Sequence, residues 1–208
     1  MEELRTTTLT HVVPPAQDGW RLRSVLRTAM KLSRKLVVRH RDVPGAITVN
    51  GEPRYLNEPV RAGDRITVTL ADDRSETVVP EPVPFGILHE DEHLLIVDKP
   101  AGIVVHPTKG HYSGTLANGV VHYWLQRGEI RKFRPIHRLD QDTSGVLAVA
   151  KNAYAHQFVN DQFERGTVKK TYLAVVRVVP AASEGLVEGP IARDPVQRHI
   201  RIVTPEGA

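Results

Sequence analysis

Apolar residues near the N-terminus recur at the spacing of an α-helix. Between residues 20 and 41 they fall at intervals of three and four, at Leu22, Val25, Leu26, Ala29 and Met30. This spacing predicts a helix with one apolar face. Ser33 is expected to cap a second short helix, which ends before the chain-breaking pair Pro44 and Gly45.

A period of two follows this helical region. The run 47–49 leads into Asn50 and Gly51, the commonest tight hairpin turn, and residues 66–70 alternate strictly between apolar and polar. Farther along, apolar runs predict strands at 94–97, 103–105, 172–179 and 199–203, and helical spacing predicts helices that begin near Thr115 and Asn152. This order of elements is consistent with an α+β fold built on a largely antiparallel sheet.

Composition changes abruptly between these two regions. Residues 71–85 carry four acids and a proline at every second position from Pro80 to Pro84. Prolines at this spacing hold a chain extended and semi-rigid. The sequence therefore predicts a first domain at 1–70, a linker at 71–85 and a second domain at 86–208.

The overall composition excludes several classes of protein. The chain has 208 residues, of which 40% are hydrophobic and 25% charged, and it contains no cysteine. Disulfide frameworks, thiol chemistry and cysteine-bound zinc are therefore excluded. No apolar run is long enough to span a membrane, and the N-terminus lacks the pattern of a signal peptide. We expect a cytoplasmic protein without membrane contact.

Positive charge is concentrated in the predicted helical region. The whole chain has a formal net charge of only +4. Between Trp20 and Arg41, however, there is no acid and there are eight basic residues, Arg21, Arg23, Arg27, Lys31, Arg34, Lys35, Arg39 and Arg41. A stretch of one sign is suited to a phosphate backbone, so we predict that these residues bind RNA. The alternative is a basic, solvated face on an ordinary small domain.

The segment 135–145, Pro-Ile-His-Arg-Leu-Asp-Gln-Asp-Thr-Ser-Gly, has the strongest chemical character. In an extended backbone Arg138 and Asp140 would project to the same side, beside a Thr-Ser-Gly turn. This pair is a candidate catalytic constellation. The alternative is a structural salt bridge at the entrance of a strand.

Three ordered segments, 87–107, 135–145 and 169–176, resemble the motifs of the RluA-type pseudouridine synthases. The resemblance implies an α+β catalytic domain that converts uridine in RNA to pseudouridine. It identifies Asp140 as the catalytic residue and Tyr172 as the active-site tyrosine. For Tyr172, an ordinary aromatic residue in the core of a strand is the alternative.

The implied reaction suggests a role for each of these residues. A carboxylate is needed close to the bond between sugar and base, where it acts as a nucleophile or stabilises a cationic sugar. Tyr172 would line the base and assist proton removal, and Arg138 would fill the space left by the extruded uridine or hold a phosphate. The reaction requires no cofactor or metal. His89 and His93 lie in a predicted turn between strands, where their spacing does not converge on an ion.

Weaker candidates lie in predicted loops. Lys99, His106, Lys109, His111 and Thr115 could contact RNA phosphates, although loops are commonly polar for solvation alone.

The N-terminal region resembles a second known module. Two basic helices, a hairpin and a final strand look like the RNA-binding module of ribosomal protein S-four. This resemblance implies ribosomal RNA as the favoured substrate, with tRNA possible and no obligate protein partner. The alternative is a non-catalytic RNA-binding protein that keeps a synthase-like scaffold.

The chain departs from the family pattern at its C-terminus. Family members carry a further basic segment that pairs with the catalytic aspartate and completes the sheet. In this sequence the catalytic domain is expected to be incomplete, either because the chain is a fragment of a longer enzyme or because it is a naturally shortened relative. Residues 1–208 alone are expected to bind RNA without catalysing the reaction and to be poorly soluble.

Overall fold

The computed structural model describes residues 6–71, 78–186, 188–197 and 200–204. These residues divide into two units, with the boundary between Lys169 and Lys170. Within the described residues, no helix is long and apolar enough to cross a lipid bilayer.

An antiparallel sheet with two short helices begins the first unit. Its elements, in chain order, are β1 (Thr6–Val12), a 3-10 turn (Pro15–Gln17), α1 (Leu22–Thr28), α2 (Arg34–His40), β2 (Ile47–Val49), β3 (Glu52–Pro53) and β4 (Arg65–Ala71). The strands are ordered β1-β4-β2-β3, and every neighbouring pair is antiparallel. The predicted helices, hairpin and final strand are confirmed, whereas β1 was not predicted.

Local sequence explains these N-terminal elements. The apolar face of α1 packs into a core with β4, in which Leu22, Leu26 and Ile66 are fully buried. The Ser33 hydroxyl accepts a hydrogen bond from the Leu36 backbone N–H at 3.2 Å, so Ser33 is the predicted N-cap of α2. Asn50 has a φ of 54°, which the hairpin requires and asparagine tolerates.

A second antiparallel sheet forms the rest of the first unit. Its elements are β5 (Gly86–Glu90), β6 (Leu94–Lys99), α3 (Leu116–Gln126), β7 (Arg134–Pro135), β8 (Gly145–Ala150) and α4 (Ala153–Glu164). The strands are ordered β5-β6-β8-β7, and all pairs are antiparallel. The expectation of a largely antiparallel sheet with separate helices is therefore confirmed.

The two helices of this second region lie on opposite faces of its sheet. On one face, Leu95, Leu147 and Val149 pack with α3, whose Trp124 is fully buried. On the other face, Ala150 packs with residues of α4. The alternation of side chains along β6 and β8 supplies both faces from the same strands.

The predicted strand at 103–105 is wrong. The carbonyl oxygens of this segment accept hydrogen bonds from other parts of the structure. Val104 and Val105 accept from the backbone N–H groups of Leu116 and Ala117 in the first turn of α3, both at 3.0 Å. The apolar side chains are still used, because Val105 is buried against α3. The apolar run correctly indicated that this segment is buried, but it did not indicate which groups its backbone bonds to.

The second half of the predicted linker packs along α3. The Asn118 side-chain amide donates to the Val79 carbonyl at 2.7 Å. Gly119 allows close approach, because a Cβ atom there would lie 2.6 Å from the Val83 carbonyl oxygen. Residues 72–77 lie outside the described part of the chain, and the division into domains at 70 and 86 stays a prediction.

The second unit contains one small hairpin, formed by β9 (Ile191–Arg193) and β10 (Arg201–Val203). The strand predicted at 172–179 is wrong, because this segment has no regular secondary structure. Its side chains are exposed, and Leu173 is fully solvent-accessible. An apolar run forms a strand only where another strand supplies backbone partners, and no described strand does so here. The strand predicted at 199–203 is shorter than expected, and His199 lies outside the described residues.

Candidate active site

The segment before β8 is anchored on both faces of the second sheet. The Ile136 backbone N–H donates to the Ala148 carbonyl at 2.9 Å, and the Ile136 side chain joins the core on the α4 face. Leu139 is buried in the core on the α3 face. Arg138 and Asp140, the residues on either side of Leu139, are exposed. Two buried anchors therefore present the two candidate catalytic side chains to solvent.

A turn follows Asp140 and leads into the strand. The Thr143 backbone N–H donates to the Asp140 carbonyl at 3.2 Å. Gly145, the first residue of β8, has a φ of 118°, a region that side chains disfavour. In the part of the chain that the structure describes, Arg138 and Asp140 form no ion pair with each other. The salt-bridge alternative for this pair therefore receives no support.

Lys99 lies underneath this turn. The pairing of β6 with β8 places Lys99 opposite Gly145. The loop after β6 and the turn before β8 therefore lie at the same end of the sheet. Lys99 is fully buried. Its ammonium group donates to the carbonyls of Pro100, Ile103 and Gln141 at 2.8, 2.9 and 3.0 Å. All three ammonium donors are satisfied by backbone carbonyls, one of which belongs to Gln141, the residue after Asp140.

The electrostatics of Lys99 connect it to two carboxylates. Burial lowers the pKa of Lys99, while the negative charges of Asp142 and Asp140 raise it and offset part of that effect. A buried cation therefore lies within electrostatic reach of the candidate catalytic carboxylate.

Two further hydrogen bonds join the loop after β6 to the turn. The Gly102 backbone N–H donates to the Gln141 carbonyl at 2.9 Å. In return, the Gln141 side-chain amide donates to the Gly102 carbonyl at 3.2 Å. Gly102 has a φ of 90°, so a glycine suits this tight connection. Together with Lys99, these bonds fix the backbone next to Asp140.

His106 lies beside the same loop. Its ring stacks on Phe133 with centroids 5.8 Å apart. Partial burial lowers the pKa of His106, and the positive charge of Arg138 lowers it further. His106 is therefore disfavoured from carrying a positive charge near Arg138.

The weaker loop candidates have different environments. Lys109 and His111 are exposed. Thr115 is fully buried and caps α3 in a capping box with Asn118, so it is structural. Lys99 is likewise not a surface contact for phosphate. The burial of Lys99 could have been predicted from the sequence, because Leu95, Val97 and Lys99 follow one another at intervals of two and therefore share one face of the strand.

The remaining predicted site residues lie outside the segment 99–145 that contains Lys99, Arg138 and Asp140. Tyr172 belongs to the second unit and its exposed fraction is 59%, so its role at the active site stays a prediction. The basic residues predicted to bind RNA are all exposed, at Arg21, Arg23, Arg27, Lys31, Arg34, Lys35, Arg39 and Arg41. Among the described residues, no group of His, Asp and Glu side chains is arranged to hold a metal ion.

The family described as RNA pseudouridylate synthase matches residues 93–206. This match covers more than half of the chain and includes the loop that carries Arg138 and Asp140. The chain belongs to this family.

Individual members of the family are similar over most of the chain. A protein of Bacillus subtilis (strain 168) described as the uncharacterized RNA pseudouridine synthase YhcT is 40% identical over 92% of the chain and 63% of its own length. A second synthase of that organism, YlyB, is 39% identical over 78% of the chain and 55% of its own length. Ribosomal large subunit pseudouridine synthase D of Neisseria meningitidis serogroup B is 37% identical over 74% of the chain and 41% of its own length.

The chain therefore spans about 40–60% of the length of these pseudouridine synthases. The coverage of 92% by YhcT leaves few residues unmatched, so that similarity includes most of the N-terminal sheet and its helices.

Replacing Lys99 tests its support of the active-site loop. We expect Lys99→Met to lower the free energy of unfolding by about 2–3 kcal/mol, because three carbonyl acceptors lose a charged donor. Methionine preserves most of the side-chain length and apolar packing. Urea denaturation measures the change. The matched control is Lys109→Met at an exposed position, for which we expect no more than about 0.5 kcal/mol. Equal stability of the two variants would contradict the assigned role.

Proposed function

We propose that this chain is an RNA pseudouridine synthase of the RluA type, which isomerises uridine in structured RNA through Asp140. The observation that carries the proposal is the placement of Asp140. This residue is exposed on a turn whose backbone is fixed by buried Leu139 and by the Lys99 ammonium group. A catalytic carboxylate needs this combination of access to the substrate and restricted position.

The reaction rearranges one nucleotide without a net change in composition. The bond between the base nitrogen and the sugar breaks, and the base turns within the pocket. A ring carbon then bonds to the sugar and loses its proton, while the freed nitrogen gains one. Asp140 acts at the sugar carbon, as a nucleophile or as the counter-charge of a cationic sugar.

Arg138 and Tyr172 have supporting roles in this proposal. Stacked RNA hides the reacting atoms, so the uridine must leave the stack before it can react. Arg138 is exposed two residues before Asp140. Its planar guanidinium group fills the vacated space or holds the neighbouring phosphate. Tyr172 lines the base and assists removal of the ring-carbon proton.

The N-terminal sheet and its helices act as an S-four-like RNA-binding module in this proposal. Eight exposed basic residues on and around α1 and α2 supply affinity for the phosphate backbone. The similarity to a synthase of the ribosomal large subunit favours ribosomal RNA as the substrate.

Tritium release tests the proposed activity. RNA labelled on the reacting ring carbon of uridine loses tritium to water when pseudouridine forms. We expect release when labelled ribosomal RNA is incubated with the complete product of the gene. The 208-residue chain is assayed in parallel, because the relatives are longer. RNA binding without release from either protein would favour the non-catalytic RNA-binding alternative.

Arg138→Lys tests the use of the guanidinium group. Lysine keeps the positive charge but loses the planar fork, so we expect turnover to fall on the order of tenfold. RNA affinity should change by less than twofold, because one charge among many phosphate contacts is retained. Single-turnover tritium release and filter binding measure the two quantities. Wild-type turnover in this variant would show that the reaction does not require the guanidinium group.

A further inference from the structure

A basic groove lies between the α1–α2 connection and α4. It is lined by side chains from both regions, Arg27, Lys31, Ser33, Arg34, Asp161 and Arg165. Its volume is about 310 Å³. Because a water molecule takes up about 30 Å³ in the liquid, the groove can hold a polyatomic anion together with some of its hydration shell.

Gln157 of α4 holds the two walls of this groove together. Its side-chain oxygen accepts a hydrogen bond from the Ser33 backbone N–H at 2.6 Å, and its amide nitrogen donates to the Lys31 carbonyl at 2.8 Å. Ala153 and Tyr154 of the same helix pack against the N-terminal core. The groove is therefore a fixed feature of the first unit, built by residues far apart in sequence.

Lys31 adopts an unusual backbone conformation at this junction. Its φ is 56°, a left-handed conformation that is rare for lysine and costs about 1 kcal/mol or more. This conformation accompanies the hydrogen bond from Gln157 to the Lys31 carbonyl. The strained residue lies where the two regions meet and contributes one of the four cations of the groove.

The charges of the groove are poorly balanced. Four cations, Arg27, Lys31, Arg34 and Arg165, line it together with one carboxylate, that of Asp161. The Asp161 carboxylate accepts a hydrogen bond from the Gln157 amide at 3.2 Å. Within the described part of the chain, none of the four cations forms an ion pair. Like charges gathered in this way repel one another unless an anion enters between them.

We propose that this groove binds backbone phosphate of the RNA substrate, with Arg34 and Arg165 on opposite walls of one phosphate site. The inference rests on the proposed function and adds Arg165, which the sequence alone did not assign to RNA binding. Planar guanidinium groups match phosphate oxygens with paired hydrogen bonds. Because Arg165 lies within the family-matched segment and Arg34 lies before it, the site joins the N-terminal helices to the catalytic region.

Neutral substitutions on each wall test the site. Arg165→Gln, Arg34→Gln and the double variant are compared for affinity to structured ribosomal RNA by fluorescence anisotropy at several salt concentrations. Each single variant should bind on the order of tenfold more weakly at low salt. Each should also lower the slope of log affinity against log salt by about 0.7–0.9, the change for one lost phosphate contact. The double variant should lose less than the product of the single losses, because both arginines hold one phosphate.

Arg61→Gln is the matched control. Arg61 is exposed outside the groove, and its guanidinium group forms an ion pair with the Asp18 carboxylate at 3.9 Å. Its removal should change affinity by less than twofold. Thermal unfolding is measured for every variant to check that each one is folded. If Arg165→Gln behaves like Arg61→Gln, or if only Arg34→Gln weakens binding, the composite site is wrong.

Inorganic phosphate distinguishes the source of the anion. At constant ionic strength, phosphate should displace RNA better than chloride, and less so from Arg165→Gln, because free phosphate competes for the same guanidinium groups. If phosphate stabilises the wild-type protein against thermal unfolding while Arg165→Gln binds RNA as tightly as the wild-type protein does, the proposal is overturned in favour of a site for free phosphate. These binding measurements are independent of turnover. If RNA affinity depends on Arg165 but no tritium is released, only the proposed reaction is rejected. If tritium is released but RNA affinity does not depend on Arg165, only the groove is rejected.

Discussion

Asp140→Asn is expected to reduce tritium release by at least about 10³-fold, because the substitution removes the charge that attacks or stabilises the sugar. Asparagine has nearly the same shape as aspartate, and Asp140 is exposed on its turn, so the fold should be unaffected. RNA affinity should change by less than twofold. The assay uses the full gene product under single-turnover conditions, with affinity measured separately by anisotropy.

Asp142→Asn is a closely matched control. Asp142 is also exposed, lies two residues away on the same turn, and contributes more than Asp140 to raising the pKa of Lys99. An effect that acted through Lys99 would therefore appear in both variants. Loss of turnover restricted to Asp140→Asn supports direct chemistry at Asp140, whereas equal losses would indicate that both carboxylates only support the loop.

The N-terminal sheet and helices were largely predictable because their signals are local. Helical spacing in α1, the Ser33 cap and the Asn50–Gly51 turn each depend on a few neighbouring residues. Strand β1 was not predicted because its sequence, Thr-Thr-Thr-Leu-Thr-His-Val, has only two apolar residues, Leu9 and Val12. It pairs with β4 along all seven of its residues, and this pairing is non-local.

Non-local partners also explain the incorrect strands. Residues 103–105 and 172–179 have similar apolar patterns, but neither forms a strand. In the first case the carbonyls serve Lys99 and the first turn of α3, and in the second no described strand is paired. Apolar periodicity reports which side chains can be buried, whereas a strand also requires a partner for its backbone.

The sequence predicted the exposed residues of the active-site loop but not the buried lysine whose hydrogen bonds hold its backbone. Arg138 and Asp140 were identified by motif, and they lie on the same exposed loop. Lys99 was grouped with surface cations, because a lysine in a loop is ordinarily solvated. One of its three carbonyl partners, Gln141, is 42 residues away along the chain, so only the pairing of β6 and β8 brings the two together.

A second buried lysine, Lys151, lies at the other end of the same sheet. Its ammonium group is 2.6 Å from a Glu90 carboxylate oxygen and 3.8 Å from one of Glu129. Arg131 donates to Glu129 at 2.7 Å, and the Tyr123 hydroxyl donates to Glu90 at 2.7 Å. The network balances two cations against two carboxylates with little solvent access. Removing one cation would leave a carboxylate buried without its charge partner.

Lys151→Met should lower the free energy of unfolding at pH 7 by about 3–5 kcal/mol, the cost of breaking a buried ion pair from one side. Urea denaturation measures the loss. Lys132→Met, at an exposed position in the same region, is the matched control and should change stability by no more than about 0.5 kcal/mol. A small loss in Lys151→Met would mean that water replaces the lysine without difficulty.

The pH dependence of this loss tests whether it originates at the Glu90 carboxylate. Burial alone would raise the pKa of Glu90, but the hydrogen bonds from Lys151 and Tyr123 outweigh burial and hold it below its ordinary value of 4.5. In the wild-type protein this carboxylate therefore stabilises the fold above pH 4.5, and that contribution is lost as the pH falls through its lowered pKa. In Lys151→Met the main opposing hydrogen bond is gone, so burial raises the pKa of Glu90 and the penalty grows as the pH rises. We therefore expect the stability difference between the two proteins to be largest near neutral pH and to shrink below pH 4.5. A difference that stays constant down to pH 4 would trace the loss to packing rather than to the unpaired carboxylate.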